Sequence, residues 1–310
     1  MKVLVTGGAG FIGSHIVDFL VSQQCEVVII DNLSTGLLSN INPMAKFIQA
    51  DIRNQKDLMD LFKTEKFDYV IHQAAQTMVH HSLENPYYDC DVNIQGTVNI
   101  LECCRHSGVK RIVFASTAAV YGDTATLPVL ETFGKKPASF YGLSKLSCEH
   151  YFEMYYQVFG LEYVILRYAN VYGERQGDSG EGGVISIFTR KIVDSEPITI
   201  FGDGSQTRDF IYVGDIAAAN YYALSTSKAN AIYNVSTQME TSLHTLINQL
   251  EEISGKRVEK QFAAPREGDI YRSFLSNVGA KENLSWEPKV NLSEGLSRTY
   301  HFLAKNLEKN

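Results

Sequence analysis

A glycine spacing near the start of the chain constrains the fold more than any other feature. Lys2 to Thr6 is a short apolar run, Gly7, Gly10 and Gly13 follow as GxxGxxG, and apolar positions at helical spacing run from Phe11 to Val21. Strand, glycine turn and helix in that order let the backbone approach a pyrophosphate. The helix N-terminus supplies unpaired N–H groups and the positive end of its dipole. A second strand-like run, Glu26 to Ile30, ends at Asp31, where a carboxylate can accept both hydroxyls of a ribose. The same carboxylate repels a 2′-phosphate, so the pattern predicts NAD and not NADP. Asp51, after the third strand-like run, is a candidate for the adenine amino group, although an ordinary exposed strand-end acid fits the position too.

Further strand-like runs at Lys46 to Ala50, Tyr69 to His72 and Arg111 to Ala115 alternate with helical patterns. That alternation predicts an α/β chain with a Rossmann-type, doubly wound parallel sheet. A long helical pattern runs from Tyr141 towards Phe159, and the strand Tyr163 to Arg167 is expected to complete the sheet. Gly173 to Gly183 reads as a loop, and the helical patterns Asp215 to Ser225 and Thr241 to Ser254 fall in a smaller, mixed α/β C-terminal lobe. The expected division is residues 1–170, with returning segments of the C-terminal half, for the nucleotide, and mainly 171–310 for the substrate.

Composition sets the class of partner. The 310-residue chain is 45% hydrophobic and 20% charged, within the globular range, and its net charge of −7 argues against wrapping a nucleic-acid duplex. Any nucleotide it binds is expected to be small. Cys25, Cys90, Cys103, Cys104 and Cys148 form an odd set without CxxC spacing, which suggests neither a disulfide framework nor a zinc site. The adjacent His80 and His81 project to different faces, so no metal is expected; Cys103, Cys104 and the lone Trp286 read as packing. Without a signal-peptide core or an apolar run of about 18 residues, the expected setting is the cytoplasm, away from membranes.

Tyr141 and Lys145 stand four apart in YGLSK, on one face of the predicted helix. A phenol ordinarily titrates near pH 10, but a neighbouring ammonium and a cationic nicotinamide ring both favour phenolate, which suits Tyr141 to take a hydroxyl proton. Lys145 can also hold the nicotinamide ribose. Thr117, in FASTAAVYG at the end of the fifth strand, faces the ligand crevice of such a sheet and can bridge substrate and Tyr141.

With these residues in place, the chain resembles the extended short-chain dehydrogenase/reductases of the nucleotide-sugar epimerase and dehydratase family. The matching residues are TGGAGFIGS (Thr6 to Ser14), DNLSTG (Asp31 to Gly36), HQAAQ (His72 to Gln76), Asn93 in DVNIQGT, STAAVYG (Ser116 to Gly122), YGLSK, LRYANVYG (Leu166 to Gly173), RDFIYVGD (Arg208 to Asp215) and REGD (Arg266 to Asp269). The resemblance spans essentially the whole chain. It implies cofactor contacts at Phe11, Ile12, Asn32, Ser34, Thr35, Gly36, Ile52, Ala74, Ala75, Gln76, Asn93, Ser116 and Tyr168, besides the residues above. It also implies substrate contacts at Asn170, Gly183, Val184, Phe201, Arg208, Arg266, Asp269 and Ser273, the two guanidinium forks suiting a diphosphate.

Within that family, dehydratases carry an Asp-Glu pair straight after the catalytic Thr, and UDP-glucuronate decarboxylases a Glu in the same stretch; this chain has Ala118 and Ala119. The resemblance therefore implies a UDP-hexose 4-epimerase: oxidation at C4, rotation of the 4-keto sugar, and reduction from the opposite face. UDP-glucuronate epimerases typically carry hydroxyls after the Thr and an Arg where this chain has Gly177, which favours a neutral hexose. Family members restricted to glucose and galactose usually place a Tyr where this chain has Ser273, which leaves space for an N-acetyl group. UDP-glucose/UDP-galactose is the expected pair, with UDP-GlcNAc/UDP-GalNAc as an additional one. A UDP-glucuronate 4-epimerase or a nucleotide-sugar reductase or dehydrogenase with the same triad stays open. Helices near Asn85 to Ser107 and Ser139 to Phe159 are those that pair across a homodimer in similar proteins.

Overall fold

A computed structural model describes residues 1–177, 183–265 and 270–307. The chain runs β1 (Lys2–Thr6), α1 (Phe11–Ser22), β2 (Glu26–Asp31), β3 (Lys46–Gln49), α2 (Gln55–Glu65), β4 (Tyr69–His72), α3 (Val79–Glu84), α4 (Pro86–Cys90), α5 (Gly96–Ser107), β5 (Arg111–Thr117), α6 (Phe140–Phe159) and β6 (Glu162–Tyr168). It continues through β7 (Asn170–Tyr172), α7 (Val184–Val193), β8 (Ile198–Phe201), β9 (Thr207–Arg208), β10 (Phe210–Tyr212), α8 (Val213–Ser225) and β11 (Ala231–Val235). The last elements are β12 (Thr241–Ser242), α9 (Leu243–Ser254), β13 (Lys260–Ala263), α10 (Val278–Leu284) and α11 (Leu292–Leu307).

Seven parallel strands form the main sheet in the order β11-β6-β5-β4-β1-β2-β3. The winding reverses between β1 and β4, which opens the crevice where a ligand of such a sheet sits. The strand sequences explain why both faces are covered. Val3 and Val5 of β1, Val27 and Ile29 of β2, and Val113 of β5 pack into one cluster, with α1 and α8 over it. Their neighbours Leu4, Val28, Ile30, Ile112 and Phe114 pack into the other, under α2, α5 and α6. Near-continuous apolar strands need that two-sided cover, and each buried Val, Ile or Leu contributes about 1.5–3 kcal/mol.

Two expectations are corrected here. The sheet does not end at β6: β11 pairs outside it, Ala231 opposite Val164 through Val235 opposite Tyr168. The helix expected over Asp215–Ser225 is α8, and it packs on α1 over the main sheet. Both follow from the path of the chain after β10, which runs through α8 and returns to the main sheet as β11. A third cluster, built from α7, α9, α11, β8 and β10, forms the core of the remaining lobe. Trp286 is buried against α8, its indole N–H donating to Asp215 O at 2.9 Å.

Candidate active site

The glycine turn is built around close backbone approaches. Gly7 has φ +68°, and its N–H donates to Ile30 O at 2.8 Å. A Cβ on Gly13 would stand 2.1 Å from Gly7 O, so only glycine lets α1 abut the end of β1 there. Gly10 caps α1 without a side-chain hydrogen bond, and no acid occupies the first turn. Phe11 and Ile12 open the helix, whose positive end faces the crevice. These features fit a dinucleotide pyrophosphate.

Asp31 closes β2 and is nearly buried. Its Oδ2 accepts from Ala9 N at 3.0 Å and its Oδ1 from Leu33 N at 2.8 Å, which leaves lone pairs on both oxygens for a ribose. A Cβ on Gly36 would come within 2.7 Å of Asp31 Oδ1, so the Asp31–Gly36 loop folds tightly over the carboxylate. Ser34 N donates to Asn32 Oδ1 at 3.0 Å, which keeps Ser34 and Thr35 exposed on that loop. Asn32 Nδ2 donates to Asp51 Oδ2 at 2.9 Å. Arg53 grips Asp51 with Nε at 3.0 Å and Nη2 at 2.7 Å, holding that carboxyl well below its usual range. Asp51 is thus an ion-paired acid beside buried Ile52, and Arg53 is a site-edge residue that motif reading missed.

Across the crevice, Ala74 N donates to Thr6 Oγ1 at 3.1 Å, which pins the loop of Ala74, Ala75 and Gln76 against β1. Gln76 N donates to Asn93 Oδ1 at 2.8 Å, while Asn93 Nδ2 reaches Gln76 O, Asp89 Oδ2 and Ser144 Oγ. Asn93 sits in a π-helical turn over Asp91–Gln95, a local widening common at functional sites. Its amide is fully engaged inside the protein. Tyr168 is likewise committed, its hydroxyl bonded to Gln73 and Asn220.

The catalytic side chains converge as the motif spacing requires. Thr117 ends β5, and its hydroxyl accepts from Ala119 N at 3.1 Å. Ser139 caps α6 by accepting from Gly142 N at 3.1 Å, and a Cβ on Gly142 would meet Ala119 O at 2.7 Å. Glycine at that position brings the helix start against the Thr117 turn. The Tyr141 phenol there lies near enough to the Thr117 hydroxyl for it to favour the phenol's charged form. One turn on, Lys145 Nζ donates to Ala115 O at 2.9 Å and lies 4.7 Å from the centre of the Phe114 ring.

Burial pushes the Tyr141 phenol up to about 12, only partly offset by the Thr117 hydroxyl, and nearby Asp89 adds to the rise. Burial likewise lowers Lys145 to about 8, only partly offset by its neighbours Cys148, Asp89 and Glu149. The physical reason is burial, which disfavours the charged form of both groups.

In the lobe, the structure joins two of the expected substrate segments. Arg208 lies on β9, which pairs with β12, and Thr207 also bridges to Arg272, next to partly buried Ser273. Arg272 is held by Glu240 through Nε at 2.9 Å and Nη2 at 2.5 Å. Asn170 N donates to Asp209 O at 2.9 Å, Gly183 precedes Val184 at the start of α7, and Phe201 O accepts from Gln206 Nε2 at 2.7 Å. Arg266 and Asp269 lie outside the described residues. In the loop around Gly177, Arg175 is paired with Asp18 of α1 at 2.7 Å.

A Rossmann sheet with a dinucleotide turn and a Thr-Tyr-Lys constellation at the ends of β5 and α6 defines an NAD-dependent enzyme of the short-chain dehydrogenase/reductase type. The chain belongs to the NAD dependent epimerase/dehydratase family, whose pattern matches residues 3–236. It is 50% identical to a putative UDP-glucose 4-epimerase of Methanocaldococcus jannaschii, over 98% of this chain and 99% of that one. The UDP-glucose 4-epimerase of Thermotoga maritima, solved with UDP-glucose, superposes with a TM-score of 0.96 at 42% identity, covering 99% of this chain and 100% of that one. The UDP-N-acetylglucosamine 4-epimerase of Methanobrevibacter ruminantium, solved with UDP-N-acetylmuramic acid, gives 0.94 at 34% identity over 98% of both chains. The protein is therefore an isomerase-class enzyme that uses NAD.

Proposed function

We propose that the protein is a UDP-hexose 4-epimerase that interconverts UDP-glucose and UDP-galactose and also accepts UDP-GlcNAc and UDP-GalNAc. The carrying observation is the convergence of Thr117 at the end of β5 with Tyr141 and Lys145 one turn apart at the start of α6, set where no carboxylate follows Thr117. When bound, NAD supplies the reversible two-electron oxidation. Tyr141 Oη takes the proton of the sugar 4-hydroxyl, oriented by Thr117 Oγ1, and returns it after the keto sugar has turned. The Lys145 ammonium offsets the charge that the phenol gains. Ala118 and Ala119 place no carboxylate straight after Thr117 to expel water, and Arg175, the one arginine of its loop, is paired with Asp18 through Nη2. Arg208 and Arg266 hold the diphosphate, and Ser273 lines the sugar pocket.

Incubation with UDP-glucose, UDP-GlcNAc and UDP-glucuronate, with products resolved by NMR, tests the reading. Axial 4-hydroxyl products from the first two, with no accumulation of reduced nicotinamide, are expected; turnover of UDP-glucuronate alone, or net reduction, defeats it. Ser273→Tyr should suppress N-acetylated turnover about ten-fold or more while sparing UDP-glucose. A homodimer in the cytoplasm completes the proposal, supported by an exposed apolar face on α6.

A further inference from the structure

Beneath the catalytic pair, three elements meet at one fully buried ion pair. Glu149, two turns along α6 from Tyr141 and one from Lys145, and Arg167 of β6 are both sealed from solvent. Arg167 Nε donates to Glu149 Oε1 at 2.9 Å and Nη2 to Oε2 at 2.5 Å, a two-pronged grip. Ser116 Oγ donates to the same Oε1 at 2.5 Å. The remaining Arg167 nitrogen, Nη1, donates to Tyr121 Oη at 2.8 Å and Glu131 O at 3.2 Å, and Tyr121 in turn donates to Asn234 of β11 at 2.7 Å. An apolar pair of the same volume would fill this space with a smaller desolvation cost, so the pair calls for an account beyond stability. An apolar pair would not, however, fix the rotation of α6 against β5 as the directional Glu149 contacts to Arg167 and Ser116 do. Every anchor here adjoins a site residue: Ser116 precedes Thr117, Arg167 precedes Tyr168, and Glu149 follows Lys145 by one turn.

We propose that Glu149, gripped by Arg167, is a positioning residue that sets α6 against the end of β5, so that Tyr141 meets Thr117, and that it supplies a buried counter-charge to the Lys145 ammonium. The proposal rests on the reading of Thr117, Tyr141 and Lys145 as the proton-handling site. Lys145 is faced by Asp89 from α4, His72 from β4, the Phe114 ring from β5, and Cys148 and Glu149 on its own helix. Of these, Asp89 and Glu149 carry negative charge, and Glu149 alone is coupled to the Thr117 strand.

Glu149→Gln keeps the shape, removes the charge and leaves Arg167 uncompensated. In the NAD-loaded protein kcat should fall about ten-fold or more with KM within about two-fold, and the alkaline limb of the pH profile should move down by about one unit, because Lys145 then loses its proton more readily. The double variant Glu149→Gln/Arg167→Met removes both charges, so its limb should return towards that of the parent while kcat stays low. Ser116→Ala breaks only the strand contact and keeps the ion pair; an approximately three- to ten-fold loss in kcat at unchanged KM is expected, and it decides the matter should Glu149→Gln not fold. Titration of Lys145 by NMR of ¹³Cε-labelled lysine, its resonance identified with Lys145→Arg, reads the same coupling without turnover. Parental kcat and limb in both single variants, or a lowered melting temperature with an unmoved limb, overturns the proposal. A parent protein inactive on every UDP-hexose would defeat the proposed function instead, and the Lys145 titration would still decide this one.

Discussion

At the scale of the residue, His72 shows how hydrogen-bond polarity fixes a protonation state. Thr6 Oγ1 accepts from Gln73 N and Ala74 N, so its own proton goes to His72 Nδ1 at 2.7 Å. His72 Nε2 then carries the ring proton and donates to Thr97 Oγ1 at 3.0 Å, and Thr97 donates to Asn93 O at 2.5 Å. This chain, from β1 through β4 to the π-helical turn, is complete only with a neutral imidazole. Burial and the Lys145 charge hold His72 at about 3. Its folded pKa lies below the ordinary 6.5, so between those values the unfolded chain binds a proton that the native state refuses. Stability from this group is present above pH 6.5 and drains as the pH falls towards about 3, by about 1.4 kcal/mol per pH unit. His72→Asn should flatten that part of the curve. Urea titrations of parent and variant across the window measure the difference, in which the shared carboxylates cancel; parallel curves would refute the assignment. Tyr141→Phe makes a complementary prediction about chemistry: kcat should drop about 10²–10⁴-fold with KM nearly kept, as assayed by product NMR, because the ring packs as before and only the proton carrier is gone.

At the scale of the element, periodicity and turn chemistry made β1, α1 and β4 legible to the residue or nearly so, and the helix expected from Tyr141 begins at Phe140. Those elements declare themselves locally, through a glycine spacing or an apolar run of strand length. β11 did not, because Ala231–Val235 becomes a sheet strand only by pairing with β6, a contact made across more than sixty residues of chain. The Thr117, Tyr141 and Lys145 cluster was visible because a strand end and a helical spacing of four suffice to place it. Glu149 continues the same helical face, so the spacing could have pointed to it; its partner Arg167 lies on another strand, where sequence distance says nothing of proximity. Gly13 tests the local logic directly. A methyl group there would press on Gly7 O, a backbone atom with no rotamer to yield, so α1 must shift from β1. Gly13→Ala should cost about 1–3 kcal/mol by thermal unfolding and release NAD on desalting, whereas the parent retains it. Retention of NAD at parental stability would contradict the geometry.

At the scale of the whole molecule, α6 has two apolar stripes and only one is covered within the subunit. Cys148, Phe152 and Tyr155 pack inward with Lys145, whereas Phe140, Leu143, Tyr151, Met154 and Val158 are exposed on a separate stripe of the helix. Their spacing of three, then four and four with Ser147 between, then three and four, is the seam of a helix that pairs with another helix. Val79 and Leu83 of α3, which packs beside α6, and Tyr87 of the adjoining α4 extend the exposed apolar surface. A surface of this kind on an acidic chain is best matched by its own copy across a two-fold axis, where like meets like without a second gene product. In the proposed homodimer this arrangement has a functional consequence: the helix that carries Tyr141 and Lys145 inward carries the seam outward, so association would brace the catalytic helix. Replacing Tyr151 and Met154 together by Glu should therefore yield a monomer in sedimentation equilibrium at micromolar concentration, against a dimer for the parent. Because α6 then loses its outer support, kcat should fall several-fold even though neither residue faces the crevice. A monomeric parent would remove the premise, and a dissociated variant with full activity would show that the catalytic helix needs no brace.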